Sequence, residues 1–89
     1  MQIPSNESAK IVNTGKKPMG LVFQATGANP IWISPNQNQI DSTQPGNIPG
    51  DGFICRPGDI PVVIPQFIGV LWARAQVQDE LFFMQFYLC

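Results

Sequence analysis

The sequence predicts an all-β domain: a small β-sandwich, jelly-roll-like, or barrel of about seven short strands. Three observations predict it. Short apolar runs rich in β-branched and aromatic residues recur along the chain. Proline and glycine punctuate them, with 9 Pro and 8 Gly in 89 residues. Several runs alternate with a period of two. The length allows one domain and a small core, so help from oligomerisation or a partner is expected.

Residues 1–8 are polar and read as an N-terminal arm; a single β domain fills 9–89. Ala9 to Asn13 is a first strand, ended by Thr14-Gly15. Lys16-Lys17-Pro18 turns the chain. Met19 to Ala25 alternates, with Leu21, Phe23 and Ala25 on one face and Val22 and Gln24 on the other. A turn at 26–30 leads to the strand Ile31-Trp32-Ile33, closed by Ser34-Pro35-Asn36. Residues 37–52 form a long polar loop in which only Ile40 and Ile48 are apolar. A loop of that length is either functional or a crossover between sheets.

Phe53-Ile54-Cys55 is a strand. Arg56-Pro57-Gly58-Asp59 fits a type II turn, because proline fixes φ at the second position and glycine accepts positive φ at the third. Residues 60–64, bounded by Pro61 and Pro65, lie at a sheet edge or at strand ends, because proline cannot donate to a ladder. Residues 68–77 form the clearest strand, with Leu71, Ala73, Ala75 and Val77 facing one way and Trp72 and Arg74 the other. Gln78-Asp79-Glu80 is a turn. Residues 81–89 read as a terminal strand with Phe82, Met84, Phe86 and Leu88 on one face. A helical stripe through Val77, Leu81, Met84 and Leu88 is the alternative. The second face of that strand, with Leu81, Phe83 and Tyr87, is also apolar. It is either buried between layers or an interaction surface.

Charged residues are only 12% of the chain, against about a quarter in ordinary soluble domains. Asn, Gln, Ser and Thr take their place, a surface suited to packing against protein or sugar. The net charge is −1 and the five cations are scattered, which argues against nucleic-acid binding. No apolar run is long enough for a membrane span, and no leader pattern opens the chain, so synthesis in a cytoplasm is expected.

There is no histidine, which removes the commonest general base and the Ser-His and Cys-His nucleophile pairs. Neither phosphate-loop motif occurs, and the carboxylates fall mostly in turn contexts. No catalytic residue, cofactor or metal site is expected. Cys55 and Cys89 read as free buried thiols or as a single bridge. Trp32, Asn36, Gln37 and Asn38 are candidates for a ligand or partner contact. Trp72, Arg74, Leu81, Phe83 and Tyr87 are candidates for an oligomer or partner interface. Core packing is the competing role for both tryptophans.

Four stretches carry a resemblance: Ile11-Val12-Asn13, Pro30-Ile31-Trp32-Ile33-Ser34, Gly52-Phe53-Ile54-Cys55-Arg56-Pro57-Gly58-Asp59 and Gly69-Val70-Leu71-Trp72-Ala73-Arg74-Ala75. In this order the chain resembles small β-structured virion proteins of tailed bacteriophages, namely head decoration or cement proteins and small fibre-type modules. The apolar tail from Leu81 to Leu88 exceeds that pattern. The resemblance implies a non-enzymatic capsid decoration or cement protein. It would be made in the host cytoplasm and act in the virion. It would bind the assembled head as a homo-oligomer, a trimer by preference, with the major capsid protein or another virion protein as partner. The alternative is a carbohydrate- or receptor-binding β module of a viral fibre or spike.

Overall fold

In a computed structural model, which describes residues 1–44 and 46–88, the expected strands form and one more joins them. They are β1 (Gln2–Ile3), β2 (Ala9–Asn13), β3 (Met19–Ala25), β4 (Ile31–Ser34), β5 (Phe53–Cys55), β6 (Val62–Phe67), β7 (Val70–Ala75) and β8 (Glu80–Leu88). One short helix, α1 (Gln37–Asp41), lies between β4 and β5.

The pairing explains the architecture. β1 pairs with β8, β2 with β7, β3 with β6 and β4 with β5, all antiparallel. The chain is thus one long hairpin whose bend is the α1 connection. Rolling that hairpin up brings β3 beside β8 and β4 beside β7. The result is two four-stranded sheets, ordered β1-β8-β3-β6 and β2-β7-β4-β5. This is the eight-stranded jelly roll.

Period-two alternation selects the core. Leu21, Phe23 and Ala25 of β3 and Phe82 of β8 point in from the first sheet. Ile31 and Ile33 of β4 with Leu71, Ala73 and Ala75 of β7 point in from the second. Phe23 stacks on Phe82, with ring centroids 5.7 Å apart. The tail is therefore strand, and its helical alternative is not adopted. On the face read as core, Phe82 is buried and Met84 packs against the core, whereas Phe86 is 43% exposed.

The turn after β5 forms as expected. Gly58 has φ 84° and the Asp59 N–H donates to the Arg56 carbonyl at 3.2 Å. β6 is an edge strand, as expected of a segment holding proline, but it starts at Val62 and runs on through Pro65. On an outer edge the missing N–H of proline costs no ladder bond. The strand read over 68–77 is trimmed to β7 because its ends turn between the sheets.

Two readings are corrected. Residues 1–8 are not simply an arm, since Ile3 is buried and β1 joins the first sheet. The Phe82 N–H donates to the Met1 carbonyl at 2.9 Å, and the Ala75 N–H to the Pro4 carbonyl at 2.9 Å. The 37–52 segment is not all loop either. Asn36 caps α1, its side chain accepting from the Asn38 N–H, and the helix carries the buried Ile40.

α1 and the chain after it cover the outer side of the second sheet. Trp32 points to that side yet is only 2% exposed, and its indole N–H donates to the Asn47 carbonyl at 2.9 Å. Trp32 and Ile40 are buried apart from the main core, as a satellite cluster beneath a long loop. Replacing Trp32 with Ala is expected to cost about 3–5 kcal/mol. A urea titration checks this, and an unchanged midpoint would contradict the buried placement.

Candidate functional site

The two sheets present very different outer faces. On the second sheet, Trp72 is half-buried and the Lys10 ammonium sits 5.4 Å from its ring centroid, a cation–π contact. Arg74 donates from Nε to the Ser5 carbonyl at 2.9 Å. Both residues, expected at an interface, thus have partners within the chain. Arg74 holds down the segment after β1, together with Asp79, whose Oδ1 accepts the Ser5 N–H at 2.9 Å.

The cluster expected around Trp32 does not form a surface site. Trp32 is buried, so it offers no ring face to a sugar. Asn36 is spent on the helix cap. Gln37 donates from Nε2 to the Ser8 Oγ at 2.9 Å. Asn38 is exposed, and its backbone N–H is the donor to the Asn36 cap. The residues adjoin in sequence, but folding turns the aromatic member inward.

The outer face of the first sheet is bare. Leu81 is 57% exposed, Phe83 46% and Tyr87 40%, all on the side of β8 that points away from the core. Register places Phe83 beside Gln24, Gln85 beside Val22 and Tyr87 beside Gly20. Val63 of β6 lies beside Val22 and is exposed. This face carries no charged side chain. Tyr87 lies across Gly20, where any Cβ would fall on its ring. Glycine at that position lets the aromatic ring lie flat, and the face stays smooth. Sequence reading found Leu81, Phe83 and Tyr87 but missed Gly20, whose role depends on a neighbour far along the chain.

Glu80 was also missed. Read as a turn residue, it instead opens β8 and is 3% exposed. Its Oε1 accepts the Ala28 N–H at 2.7 Å, and its Oε2 accepts from Asn29 Nδ2 at 2.9 Å. The carboxylate therefore ties the 26–30 turn, which carries the chain from one sheet to the other, to the start of β8. Its phase, two residues before Phe82, was the available signal. Hydrogen bonds from Asn29 and Ala28 hold its pKa below 4.5, against the opposing effect of burial.

Cys55 is a free, buried thiol. Burial, reinforced by the negative charge of Asp59, pushes its pKa up to about 11. Cys89 lies outside the described residues. A cleft of about 40 Å³, room for a water molecule or two, opens beside Cys55 between β5 and β6. Among the described residues, no group of three or more His, Cys, Asp or Glu side chains could hold a metal ion. No described helix is long and apolar enough to cross a membrane.

With this geometry in hand, comparison with known proteins adds no relative. No family model, curated protein or solved structure matches the chain.

Two outcomes follow from the local chemistry. A lowered native pKa at Glu80 means the unfolded chain takes up the proton first as pH falls. The stabilisation by Glu80 is present above about pH 4.5 and is lost as pH drops through the native value. Urea midpoints measured from pH 6 to pH 3 should therefore fall more for the native chain than for Glu80→Gln. Parallel curves would contradict the role assigned to the carboxylate. At Cys55 a thiol reagent at neutral pH should label the folded protein slowly and the urea-unfolded protein fast. Equal rates would show the thiol to be accessible.

Proposed function

We propose that this chain is a non-enzymatic virion structural protein of the capsid-decoration or cement kind, acting as a homo-oligomer on an assembled particle. The observation that carries the reading is the bare, uncharged outer face of the first sheet. A soluble domain seldom leaves Leu81, Phe83 and Tyr87 exposed side by side unless something covers them. The opposite face of the same molecule is covered by its own helix and loop, so the exposure is selective.

The jelly roll is a common scaffold for capsid and lectin domains, but the scaffold alone assigns no function. The resemblance of the four strand-and-turn stretches to tailed-phage virion proteins favours the capsid side. The partner would be the major capsid protein or another virion protein, and the site of action the virion, after synthesis in the host cytoplasm. A particle that offers many copies of a weak site stabilises itself by mass action when such a protein binds. The carbohydrate-binding alternative loses its main support, because Trp32 is buried.

Light scattering coupled to size exclusion tests the self-association. The native chain should run as an oligomer. Phe83→Lys, at an exposed position, should keep the fold while weakening association about ten-fold or more, the equivalent of roughly 1.4 kcal/mol. A monomer at high concentration would remove the self-association from this reading. Unimpaired binding of Phe83→Lys to assembled shells would remove the face from it.

A further inference from the structure

The outer face is one unpartnered feature of the first sheet; an open strand edge is another. β1 lies beside β8 on the side away from β3, but its register with β8 covers only Glu80 and Leu81. The reciprocal bonds between Met1 and Phe82 extend that contact by one residue. Beyond it, residues 83–88 have no strand on that side among the described residues.

The direction of the backbone groups along β8 is fixed. Phe82 bonds toward β1, while the Leu81 carbonyl accepts the Thr26 N–H on the β3 side. Alternation along a regular strand then aims the N–H and C=O groups of Met84, Phe86 and Leu88 outward at the open edge. The β3–β8 register runs without a shift from Met19–Leu88 to Ala25–Phe82, so the alternation is unbroken.

The other three sheet edges carry the usual protections against strand addition. β2 has the exposed Lys10 and a register shift between Lys10 and Val12. β5 is short and runs into Arg56-Pro57. β6 contains Pro65 and faces a register shift between Met19 and Leu21. Residues 83–88 contain no proline, no charge and no register shift. The edge that lacks protection is thus the one beside the bare face.

We infer that a second copy of this chain occupies that edge, β8 pairing antiparallel with β8 of the partner about a two-fold axis. Two properties of the segment select a second copy. The segment is uncharged, so pairing with itself brings no like charges together. It is also self-complementary in register: with outward groups on Met84, Phe86 and Leu88, Met84 faces the partner's Leu88 and Phe86 faces its own copy. Each Phe86 then exchanges both backbone hydrogen bonds with the other. The two first sheets merge into a single eight-stranded layer, and their bare faces become one continuous apolar strip. The contact is isologous, so the assembly has an even number of chains. This inference rests on the self-association proposed above and specifies its geometry.

Amide hydrogen exchange, followed residue by residue by NMR on the unaltered chain, tests it alongside light scattering. At high concentration the chain should be a dimer or a higher even oligomer. The Met84 and Phe86 amides should be protected there at least ten-fold more than after dilution to monomer. Phe86→Pro removes the outward N–H and should be monomeric, whereas Phe86→Ala keeps the N–H and should still pair. If Phe86→Pro fails to fold, the exchange data on the unaltered chain decide. A closed trimer overturns the edge pairing and leaves the proposed self-association standing. So does an oligomer whose Met84 and Phe86 amides exchange as fast as in the monomer. Protection that persists in the monomer overturns the pairing too, because the chain then covers its own edge. A chain that stays monomeric overturns both.

Discussion

The antiparallel register between β3 and β8 is the constraint on which the rest of the molecule depends. It fixes Leu21, Phe23 and Phe82 inside the sandwich and Phe83, Gln85 and Tyr87 outside it. A slip of one residue would exchange those sets, because side chains alternate with a period of two. Phe82 would leave its stack on Phe23, and Phe83 would take its place. The Glu80 carboxylate reinforces the register from its end. Bound to Ala28 and Asn29, it sets where β8 begins relative to the turn that follows β3.

The two outer faces are resolved in opposite ways. On the second sheet, the bend of the long hairpin folds back as α1, buries Ile40 and takes the Trp32 indole into a hydrogen bond. Arg74 and Lys10 complete that cover by holding Ser5 and Trp72. Among the described residues, no such layer covers the first sheet. Its polar residues include the neutral amides Gln2, Gln24 and Gln85, which tolerate either water or a protein surface. The low overall charge of the chain has a local expression here, since residues 81–88 of β8 carry none.

Much of the strand pattern was legible in the sequence, because alternation and turn chemistry act locally. Met19–Ala25 and Phe53–Cys55 were readable to their bounds, and Pro57-Gly58 announced its turn. What was not legible depends on distant partners. Gln2–Ile3 is too short to show a period, and only β8 makes it a strand. α1 is a single capped turn within a polar stretch, and Asn36 was its only local signal. Trp32 read first as core, with a ligand contact as the other role, and the bend of the hairpin closes over it. Leu81, Phe83 and Tyr87 were recognisable as a second apolar face, but only the sheet order shows that no layer of the described residues covers them.

The long-hairpin topology also has a consequence in time. β8 follows the other seven strands off the ribosome, yet it pairs with β3 along most of its length and with β1 at its start. Until it arrives, β1 has no neighbour and the inward faces of β3 and β6 lack the strand that completes their layer. Such non-local closure is intrinsically slow. It also means that the exposed aromatic segment and the framework that orients it come into being in the same event. The apolar outer face of the first sheet is therefore assembled only when β8 docks against β3.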